Sequence, residues 1–208
     1  MGLPCVFVRL TGCDLRCTYC DSAYAFTGGR PMSLDEIMVE TARLDCSLVE
    51  ITGGEPLLQK AVFPLMQKLS DAQKTVLLET SGAHDVSKVD PRVIRIMDLK
   101  TPSSGESERT LWSNIDHLRE TDEIKFVIGN REDFEWARDR LREHELHRKV
   151  RNVLFSPTFQ TAAAPGQTKG HAGLNPKTLV EWILKEKLPV RFQLQLHKFI
   201  WEPTQKGV

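Results

Sequence analysis

The chain has 208 residues, of which 40% are hydrophobic and 27% are charged, and this composition is typical of a soluble globular protein. Its 28 basic and 28 acidic residues cancel, so no basic surface for nucleic acid is predicted. No apolar run reaches the ~18 residues of a membrane-spanning helix. Five cysteines, an odd number, fit a reducing cytoplasm better than a disulfide framework. We therefore expect one cytoplasmic domain, residues 1–208, that binds neither nucleic acid nor a membrane.

Apolar periodicity predicts seven strands separated mostly by helices. The strands are expected at residues 5–10, 47–52, 75–79, 93–98, 123–128, 150–155 and 190–196. Helices are expected at 34–44, 61–69, 110–118, 131–144 and 176–187, with Ser33, Asn130 and Asn175 as N-caps. A glycine-rich stretch at 162–174 is expected to be flexible. This alternation predicts an α/β fold with a parallel sheet, and because the units are too few for a full eight-fold barrel, we expect a partial, open TIM-like barrel.

Nearly every unusual polar cluster directly follows a predicted strand. These clusters are the cysteine loop at 11–22, Gly53-Gly54-Glu55-Pro56, Glu79-Thr80-Ser81-Gly82, Asp98-Leu99-Lys100, Ser156-Pro157-Thr158 and His197-Lys198. In barrels built from strand–helix units, the loops at the carboxyl ends of the strands form the active site. We therefore expect these clusters to meet in one site.

The cysteine loop carries Cys13, Cys17 and Cys20 at C-x3-C-x2-C spacing. Three thiolates from one loop suit a [4Fe–4S] cluster, and without a fourth cysteine one iron would be open to a small molecule. The alternative is a structural zinc site, which needs a fourth ligand that His84 or Cys46 could supply. The spacing alone leaves both interpretations open.

The Gly-Gly-Glu-Pro turn is the second signal. Gly53 and Gly54 let the backbone approach a ligand without a Cβ in the way, and the Glu55 carboxylate can accept hydrogen bonds from an ammonium group. By itself such a turn is more often an ordinary strand-to-helix loop. Because it follows the cysteine loop by one helix and one strand, we interpret it as part of the same site.

Together these motifs resemble the radical S-adenosylmethionine superfamily and, within it, the 7-carboxy-7-deazaguanine synthase family. The segments that carry the resemblance are 7–13, 20–22, 51–56, 79–82, 97–100 and 195–198. In the superfamily the open iron binds S-adenosylmethionine, and one electron from the cluster cleaves it to release a 5′-deoxyadenosyl radical. The family resemblance implies a carbon–nitrogen lyase that converts 6-carboxy-5,6,7,8-tetrahydropterin to 7-carboxy-7-deazaguanine with loss of ammonia, in the biosynthesis of queuosine and other 7-deazapurines.

The resemblance also implies which residues form the site. The three cysteines would hold the cluster, and S-adenosylmethionine would contact Tyr19, Cys20, Asp21, Gly53, Gly54, Glu55, Glu79, Asp98, Leu99, Lys100, Ser156, Pro157, Thr158 and Phe159. The pterin would contact Arg9, Thr52, His197 and Pro203, and the hydroxyl of Ser22, where the family has threonine, would bind Mg²⁺. The implied partners are the pterin substrate, an electron donor such as flavodoxin or ferredoxin, and a second copy of the chain in a homodimer.

The chain departs from the family at its start. The family has an earlier strand with a Gln-Gly-Glu segment that contacts the pterin, whereas this chain opens at Met1-Gly2-Leu3-Pro4. We therefore expect that segment to be missing, with effects on substrate affinity and dimer contacts but not on the cluster.

Two other functions remain open at this point. A glycyl-radical activating enzyme also combines the C-x3-C-x2-C spacing with Asp-Leu-Lys at a strand end, but it abstracts hydrogen from a protein glycine. A small electron carrier would use the cluster only to transfer electrons, and it would need neither Gly-Gly-Glu-Pro nor a barrel of this size. Formation of deoxyadenosine with each substrate would distinguish these possibilities.

Overall fold

The computed structural model describes residues 2–160, 171–203 and 205. Seven strands form one sheet, in which all neighbouring strands are parallel and the order across the sheet is the order along the chain. The strands are β1 (Val6–Leu10), β2 (Leu48–Gly53), β3 (Thr75–Thr80), β4 (Ile94–Asp98), β5 (Glu123–Ile128), β6 (Asn152–Pro157) and β7 (Arg191–Phe192). Within the described ranges no pairing joins β7 to β1, so the predicted α/β fold with a partial, open barrel is confirmed.

The α-helices that connect or follow the strands begin largely where their capping residues predict. They are α1 (Leu34–Arg43), α2 (Val62–Asp71), α3 (Arg131–Glu143), α4 (Leu146–Lys149), α5 (Pro176–Glu186) and α6 (His197–Ile200). Ser33 makes both hydrogen bonds of a capping box at α1, and the side chains of Asn130 and Asn175 cap α3 and α5. Most of the stretch predicted to be flexible, residues 162–170, lies outside the described residues.

The helix predicted at 110–118 is instead a three-ten helix, Trp112–His117. Its position is set by Asn114, whose fully buried side chain donates hydrogen bonds to the carbonyl oxygens of Gly82 and His84. These bonds attach the segment to the chain that follows β3. Tertiary contacts therefore override the local helical pattern.

The last strand is much shorter than the predicted 190–196. In the sheet, Phe192 of β7 lies opposite Phe155 of β6. Two residues further on, continued pairing would meet Pro157, which has no N–H to donate. The chain leaves the sheet there, and His197, which we expected at the end of a strand, begins α6.

The core lies between the sheet and the helices on its outer face. Alternate residues of a strand point to opposite faces, and apolar outer-face side chains form one cluster with α1 and α2 and another with α3 and α5. The opposite face, here called the inner face, carries the polar side chains Arg9, Glu50, Thr52, Glu79, Asp98 and Lys125. Among the described residues, no helix is both long enough and apolar enough to cross a lipid bilayer.

Candidate active site

The cysteine loop leaves the carboxyl end of β1 and is held by the loop that follows β4. Thr18 donates hydrogen bonds from its N–H to the carbonyl of Ser104 (3.0 Å) and from its hydroxyl to the carbonyl of Ser103 (2.6 Å). The N–H of Arg16 donates to the carboxylate of Glu106 (2.6 Å). The loop that carries the cysteines is therefore anchored to a second strand end, as the placement of the polar clusters predicted.

The Gly-Gly-Glu-Pro turn lies directly against the cysteine loop. The N–H of Gly54 donates to the carbonyl of Leu10 (3.1 Å), and the N–H of Glu55 donates to the carbonyl of Gly12 (2.8 Å). A Cβ on Gly54 would lie 2.6 Å from the carbonyl carbon of Gly12 and 2.7 Å from the Cβ of Cys13. Only glycine permits this approach, so the turn fixes the position of the first cysteine.

The Glu55 side chain lies beneath the site. Its carboxylate accepts hydrogen bonds from the N–H of Leu57 (3.0 Å), the hydroxyl of Thr80 (2.9 Å) and the N–H of Ser81 (2.7 Å). These bonds use both oxygens, and the residue has no exposed surface. In this structure Glu55 joins the ends of β2 and β3, and its carboxylate is already paired.

The side chains of the three cysteines pack in one mostly apolar environment, formed by Cys13, Leu15, Cys17, Tyr19, Cys20, Ala83 and Val127. Burial raises the pKa of each of the three thiols above its ordinary value, and that of Cys17 to about 11. A thiolate in such an environment needs a nearby cation, and the iron ions of a cluster would supply it. Three thiols packed together in one loop therefore fit the ligand set of a [4Fe–4S] cluster.

The two residues considered as a fourth zinc ligand have other partners. His84 lies 3.1 Å from the carboxylate of Asp14. Cys46 precedes β2, at the opposite end of the sheet, and its thiol contacts the carbonyl of Pro4 (3.2 Å). In the part of the chain that the structure describes, no three His, Cys, Asp or Glu side chains are grouped to hold one metal ion. A [4Fe–4S] cluster does not require such a group, because its cysteines bind separate irons.

The end of β4 places Asp98 and Lys100 beside the cysteine loop. Lys100 donates to Asp98 (2.8 Å), and each side chain is 14% exposed. Burial disfavours the Lys100 cation, but Asp98 and Cys17 outweigh this effect and hold the pKa of Lys100 above its ordinary value. The second carboxylate oxygen of Asp98 is buried and has no hydrogen-bond partner among the described residues. Such an atom is costly unless a ligand satisfies it.

The end of β6 contributes a second polar atom of this kind. Ser156 and Thr158 are each 4% exposed, and the hydroxyl of Thr158 has no partner in the described ranges. Pro157 ends β6 between them, and Phe159 follows. Together with Asp98, these residues leave hydrogen-bonding capacity at two strand ends, and this fits the hydroxyl and amino groups of S-adenosylmethionine.

Three more predicted cofactor residues contribute side-chain packing and backbone contacts to the site. Tyr19 is 8% exposed and its hydroxyl lies 3.3 Å from that of Thr101, while burial raises its pKa. Leu99 is fully buried and its N–H donates to a carbonyl of β5 (2.9 Å). Gly53 has a φ of +149° and packs against the backbone of Leu10. These residues shape the site without offering a free charged group.

The inner face beside these residues carries a hydrogen-bonded charge network. Lys125 donates to Oε1 of Glu79 (2.7 Å), and the hydroxyl of Thr52 lies 3.3 Å from Oε2 of the same residue. Thr52 pairs with Arg9 across β1 and β2, so both side chains lie on the inner face. Arg9 is exposed, and its guanidinium approaches the carbonyl at the end of β2 (3.4 Å). The strand pairing therefore brings Arg9 and Thr52 together, as the proposed substrate site requires.

The segment after β7 folds back onto the cysteine loop. The Lys198 side chain, 4% exposed, pairs with Asp21 at 2.6 Å, and the Gln195 amide donates to the same oxygen (2.7 Å). Burial disfavours the Asp21 carboxylate, but Lys198 and Gln195 outweigh this effect and hold its pKa below the ordinary value. Ser22 donates to the other oxygen of Asp21 (3.0 Å). The hydroxyl oxygen of Ser22 is a hard oxygen ligand of the kind that Mg²⁺ prefers.

His197 is exposed at the edge of the same site. Partial burial lowers the pKa of His197, and the charges of Lys198 and Arg9 lower it further. Pro203 is exposed beyond α6.

Four residues of this arrangement have no assigned role in the sequence-based prediction: Glu50, Lys125, Gln195 and Lys198. Gln195 and Lys198 flank His197 in the Gln-Leu-His-Lys segment, and that position was the available signal. Glu50 and Lys125 are charged residues inside mostly apolar strands, and their alternation puts them on the inner face. Their partners come from other strands, so only the folded structure identifies them.

Comparison with known proteins places these features in a family context. A family model described as the Radical SAM superfamily matches residues 7–100, which include the cysteine loop and the Gly-Gly-Glu-Pro turn. The chain is 49% identical to a 7-carboxy-7-deazaguanine synthase of Koribacter versatilis over 209 residues, which cover 100% of this chain and 92% of that protein. It is 44% identical to the protein of the same name from Chlorobaculum tepidum, covering 100% and 90% of the two chains.

Two solved structures share the fold. The crystal structure of QueE from Escherichia coli has a TM-score of 0.70 and 21% identity, covering 94% of this chain and 86% of that chain. The crystal structure of Streptococcus suis SuiB bound to S-adenosylmethionine has a TM-score of 0.63 and 16% identity, covering 93% and 50%. At these identities the two structures support the fold alone, an open parallel barrel.

Proposed function

The chain belongs to the 7-carboxy-7-deazaguanine synthase family of radical S-adenosylmethionine enzymes, and from that premise we infer that it converts 6-carboxy-5,6,7,8-tetrahydropterin to 7-carboxy-7-deazaguanine with loss of ammonia. It is a carbon–nitrogen lyase of 7-deazapurine biosynthesis, the route to queuosine. The observation that carries this conclusion is the 49% identity over the full chain. The same observation favours this function over the glycyl-radical activating enzymes and the small electron carriers.

The enzyme uses a [4Fe–4S] cluster and S-adenosylmethionine, and the cluster, when bound, supplies the electron that cleaves S-adenosylmethionine. We propose that Cys13, Cys17 and Cys20 ligate the cluster, because one anchored loop holds all three close together among apolar side chains. The unpartnered polar atoms of Asp98 and Thr158 would take hydrogen bonds from S-adenosylmethionine. The remaining predicted cofactor residues, Tyr19, Asp21, Gly53, Gly54, Leu99, Lys100, Ser156, Pro157 and Phe159, line the same strand ends.

Glu55 and Glu79 have supporting roles in this proposal. Glu55 would position the Gly-Gly turn through its three buried hydrogen bonds. Glu79 would hold the side chains of Lys125 and Thr52 at the border between the cofactor and the substrate. Both carboxylates would then act through the residues they orient.

The pterin would lie over the inner face at the ends of β1 and β2. Its carboxylate would pair with Arg9, since an unpaired carboxylate in a closed site would cost several kcal/mol. Thr52 would offer its hydroxyl to the ring. Because the pKa of His197 lies below its ordinary 6.5, its ring is neutral at pH 7 and would donate a hydrogen bond rather than a charge. Pro203 would approach the substrate from the segment after α6.

We further propose that Mg²⁺ binds the Ser22 hydroxyl, with its other ligands supplied by substrate and water. Asp21 is already neutralised by Lys198, so the remaining charge compensation would come from the substrate carboxylate. Mg²⁺ commonly keeps several waters and takes few protein ligands. A site with one hydroxyl ligand is consistent with that behaviour.

The enzyme acts on a small molecule and needs a reductant. We propose flavodoxin or ferredoxin as the electron donor, a homodimer as the assembly, and the cytoplasm as the location. We also propose that residues 1–208 form one domain, because the relatives match the whole chain. We propose neither nucleic acid nor a membrane as a partner; for nucleic acid the reason is the formal net charge of zero.

The decisive test is anaerobic reconstitution with iron and sulfide, followed by electron paramagnetic resonance with and without S-adenosylmethionine. The reduced enzyme should then convert 6-carboxytetrahydropterin to 7-carboxy-7-deazaguanine. Formation of deoxyadenosine without the deazaguanine product, under conditions where the pterin binds, would contradict the proposed substrate.

Replacement of Arg9 separates substrate recognition from cofactor binding. Arg9→Ala should assemble its cluster and bind S-adenosylmethionine, yet lose about 10- to 100-fold in kcat/KM for the pterin, because it removes about 1.5–3 kcal/mol of charge-assisted hydrogen bonding. Arg30→Ala is the control, because Arg30 is exposed and its partner is Glu36 on α1. Loss of S-adenosylmethionine binding in Arg9→Ala, with pterin binding retained, would assign Arg9 to the cofactor.

A further inference from the structure

We propose that Glu50 is a positioning residue of the active site, which shares a proton with Glu79 and thereby keeps the inner face favourable to an anionic substrate. The identity of that substrate rests on the proposed function. Glu50 lies in the middle of β2, between Phe7 of β1 and Leu77 of β3.

The carboxyl groups of Glu50 and Glu79 lie on the inner face, on neighbouring strands. Glu50 precedes Thr52 by two residues, so their side chains point to the same side of β2. The Thr52 hydroxyl lies 3.3 Å from Oε2 of Glu79. Glu50 lies opposite Leu77 of β3, two residues before Glu79 on the same face, so the side chains of Glu50 and Glu79 are diagonal neighbours within reach of each other. An ionised carboxylate can only accept, so a hydrogen bond between two carboxyl groups requires a proton on one of them.

The surrounding charges assign that proton to Glu50. Lys125 lies 2.7 Å from Oε1 of Glu79, and its side chain is only 17% exposed. Burial disfavours the Lys125 cation, but Glu79 and Asp98 outweigh this effect and hold its pKa above the ordinary value. Glu79 is therefore the carboxylate that pairs with the Lys125 cation. Burial and the adjacent Glu79 raise the pKa of Glu50 to about 8, while Lys125 and Arg9 oppose the rise.

The shared proton decides the charge of the inner face near the substrate. With Glu50 neutral, the three cations Arg9, Lys100 and Lys125 exceed the two anions Glu79 and Asp98 by one. Ionisation of Glu50 removes this excess. In a partly buried site, a new anion weakens the binding of a carboxylate ligand through Coulomb repulsion. We therefore expect the affinity for the pterin carboxylate to fall as Glu50 ionises.

Each neighbouring element contributes a charged or titratable group that faces Glu50. These groups are Cys5 just before β1, Arg9 from β1, Glu79 from β3 and Lys125 from β5. Burial, followed by the charge of Glu50, raises the pKa of Cys5 to about 11. Cys5 therefore titrates well above Glu50, and an isosteric replacement of Glu50 identifies the group responsible for a transition near pH 8.

The test compares Glu50→Gln with the wild-type reconstituted enzyme from about pH 6.5 to about pH 9.5, a range that brackets the pKa of about 8. The wild-type KM for 6-carboxytetrahydropterin should rise about three- to tenfold above pH 8 with a smaller change in kcat. Glu50→Gln keeps a donor toward Glu79 and cannot ionise, so its KM should stay low and flat. Glu123→Gln is the matched control, because Glu123 is a partly buried carboxylate at the start of β5 that bonds to Asn152.

A second measurement does not depend on turnover. Infrared difference spectra of the substrate-free enzyme should show the carbonyl band of a protonated carboxylic acid, which disappears as the pH rises through about 8 and is missing in Glu50→Gln. A band that persists in that variant, or a KM that rises with pH as in the wild type, would overturn the proposal. If no variant converts the pterin, the proposed function fails, and the band alone decides whether the proton is shared.

Discussion

The contact between the Gly-Gly-Glu-Pro turn and the cysteine loop predicts that Gly54→Ala removes the cluster. The new Cβ would lie 2.7 Å from the Cβ of Cys13 and 2.6 Å from the carbonyl carbon of Gly12. Ordinary carbon–carbon contacts lie at about 3.5–4.0 Å, so the two loops must separate by about 0.8 Å or more. The hydrogen bond from Glu55 to Gly12, now 2.8 Å, lies in the path of that movement.

The size of the effect follows from the clash and the lost hydrogen bond. Overpacking of this kind costs about 1–3 kcal/mol. For a chain of this length, that corresponds to a fall of about 2–12 °C in the unfolding temperature. The effect on iron content should be larger, because Cys13 is displaced directly while Cys17 and Cys20 stay in place.

The control separates loss of stability from loss of iron. Gly28 has a φ of +80° and open space around the position of a Cβ, so Gly28→Ala should cost about 1–2 kcal/mol through its backbone conformation. Iron per chain after reconstitution, and urea unfolding of the iron-free protein, should be measured for both variants. A Gly54→Ala protein that holds as much iron as Gly28→Ala would refute the reasoning.

Three further predictions concern the groups around the site. Lys198→Met should lower the free energy of unfolding by about 1–2 kcal/mol, which is less than the 3–5 kcal/mol of a fully buried pair, because Asp21 is 32% exposed. Titrations with S-adenosylmethionine should show weaker binding at unchanged iron content. Unchanged binding would argue against a role of this pair in supporting the cofactor site. Ser22→Ala should blunt the rise of turnover with added Mg²⁺ while Ser22→Thr keeps it, and an equal magnesium dependence in all three proteins would reject Ser22 as a ligand. Because the folded-state pKa of Glu50 is raised from 4.5 to about 8, the folded protein binds more protons than the unfolded chain between these pH values, so the contribution of Glu50 to stability falls as the pH rises. Urea unfolding across this range should show a flatter pH dependence for Glu50→Gln than for the wild type. Equal pH dependence of the two proteins would contradict the raised pKa.

The elements that the sequence predicts well are those with local signals. The capping box of Ser33 and the Asn175-Pro176 start of α5 each lie within a few residues of the helix they begin. The failures come from contacts between distant segments. The segment around Asn114 forms a three-ten helix instead of the predicted α-helix, because the Asn114 side chain bonds to the chain that follows β3. The strand β7 is shorter than predicted because Pro157 in β6 limits its pairing.

The same distinction applies to the site. The cysteines and the Gly-Gly-Glu-Pro turn are continuous motifs, and their adjacency follows from the rule that parallel strand ends share one edge. By contrast, Lys198 and Asp21 are 177 residues apart in sequence, and no spacing rule joins them. The protonation of Glu50 is even harder to predict from the sequence, because it depends on the mutual placement of Glu79 and Lys125 on two other strands.

The anchoring of the cysteine loop bears on how the cluster and the fold depend on each other. In a zinc finger the metal supplies the folding free energy, because the ligands have no defined arrangement without it. Here the loop is already bonded to β2 through Gly54 and to the segment after β4 through Thr18, and Lys198 ties Asp21 to the carboxyl-terminal segment. These bonds come from the chain itself, so the cluster is not the sole source of order in the cysteine loop. The sheet of seven strands also has two hydrophobic cores of its own, and burial of these side chains stabilises the fold independently of the cluster.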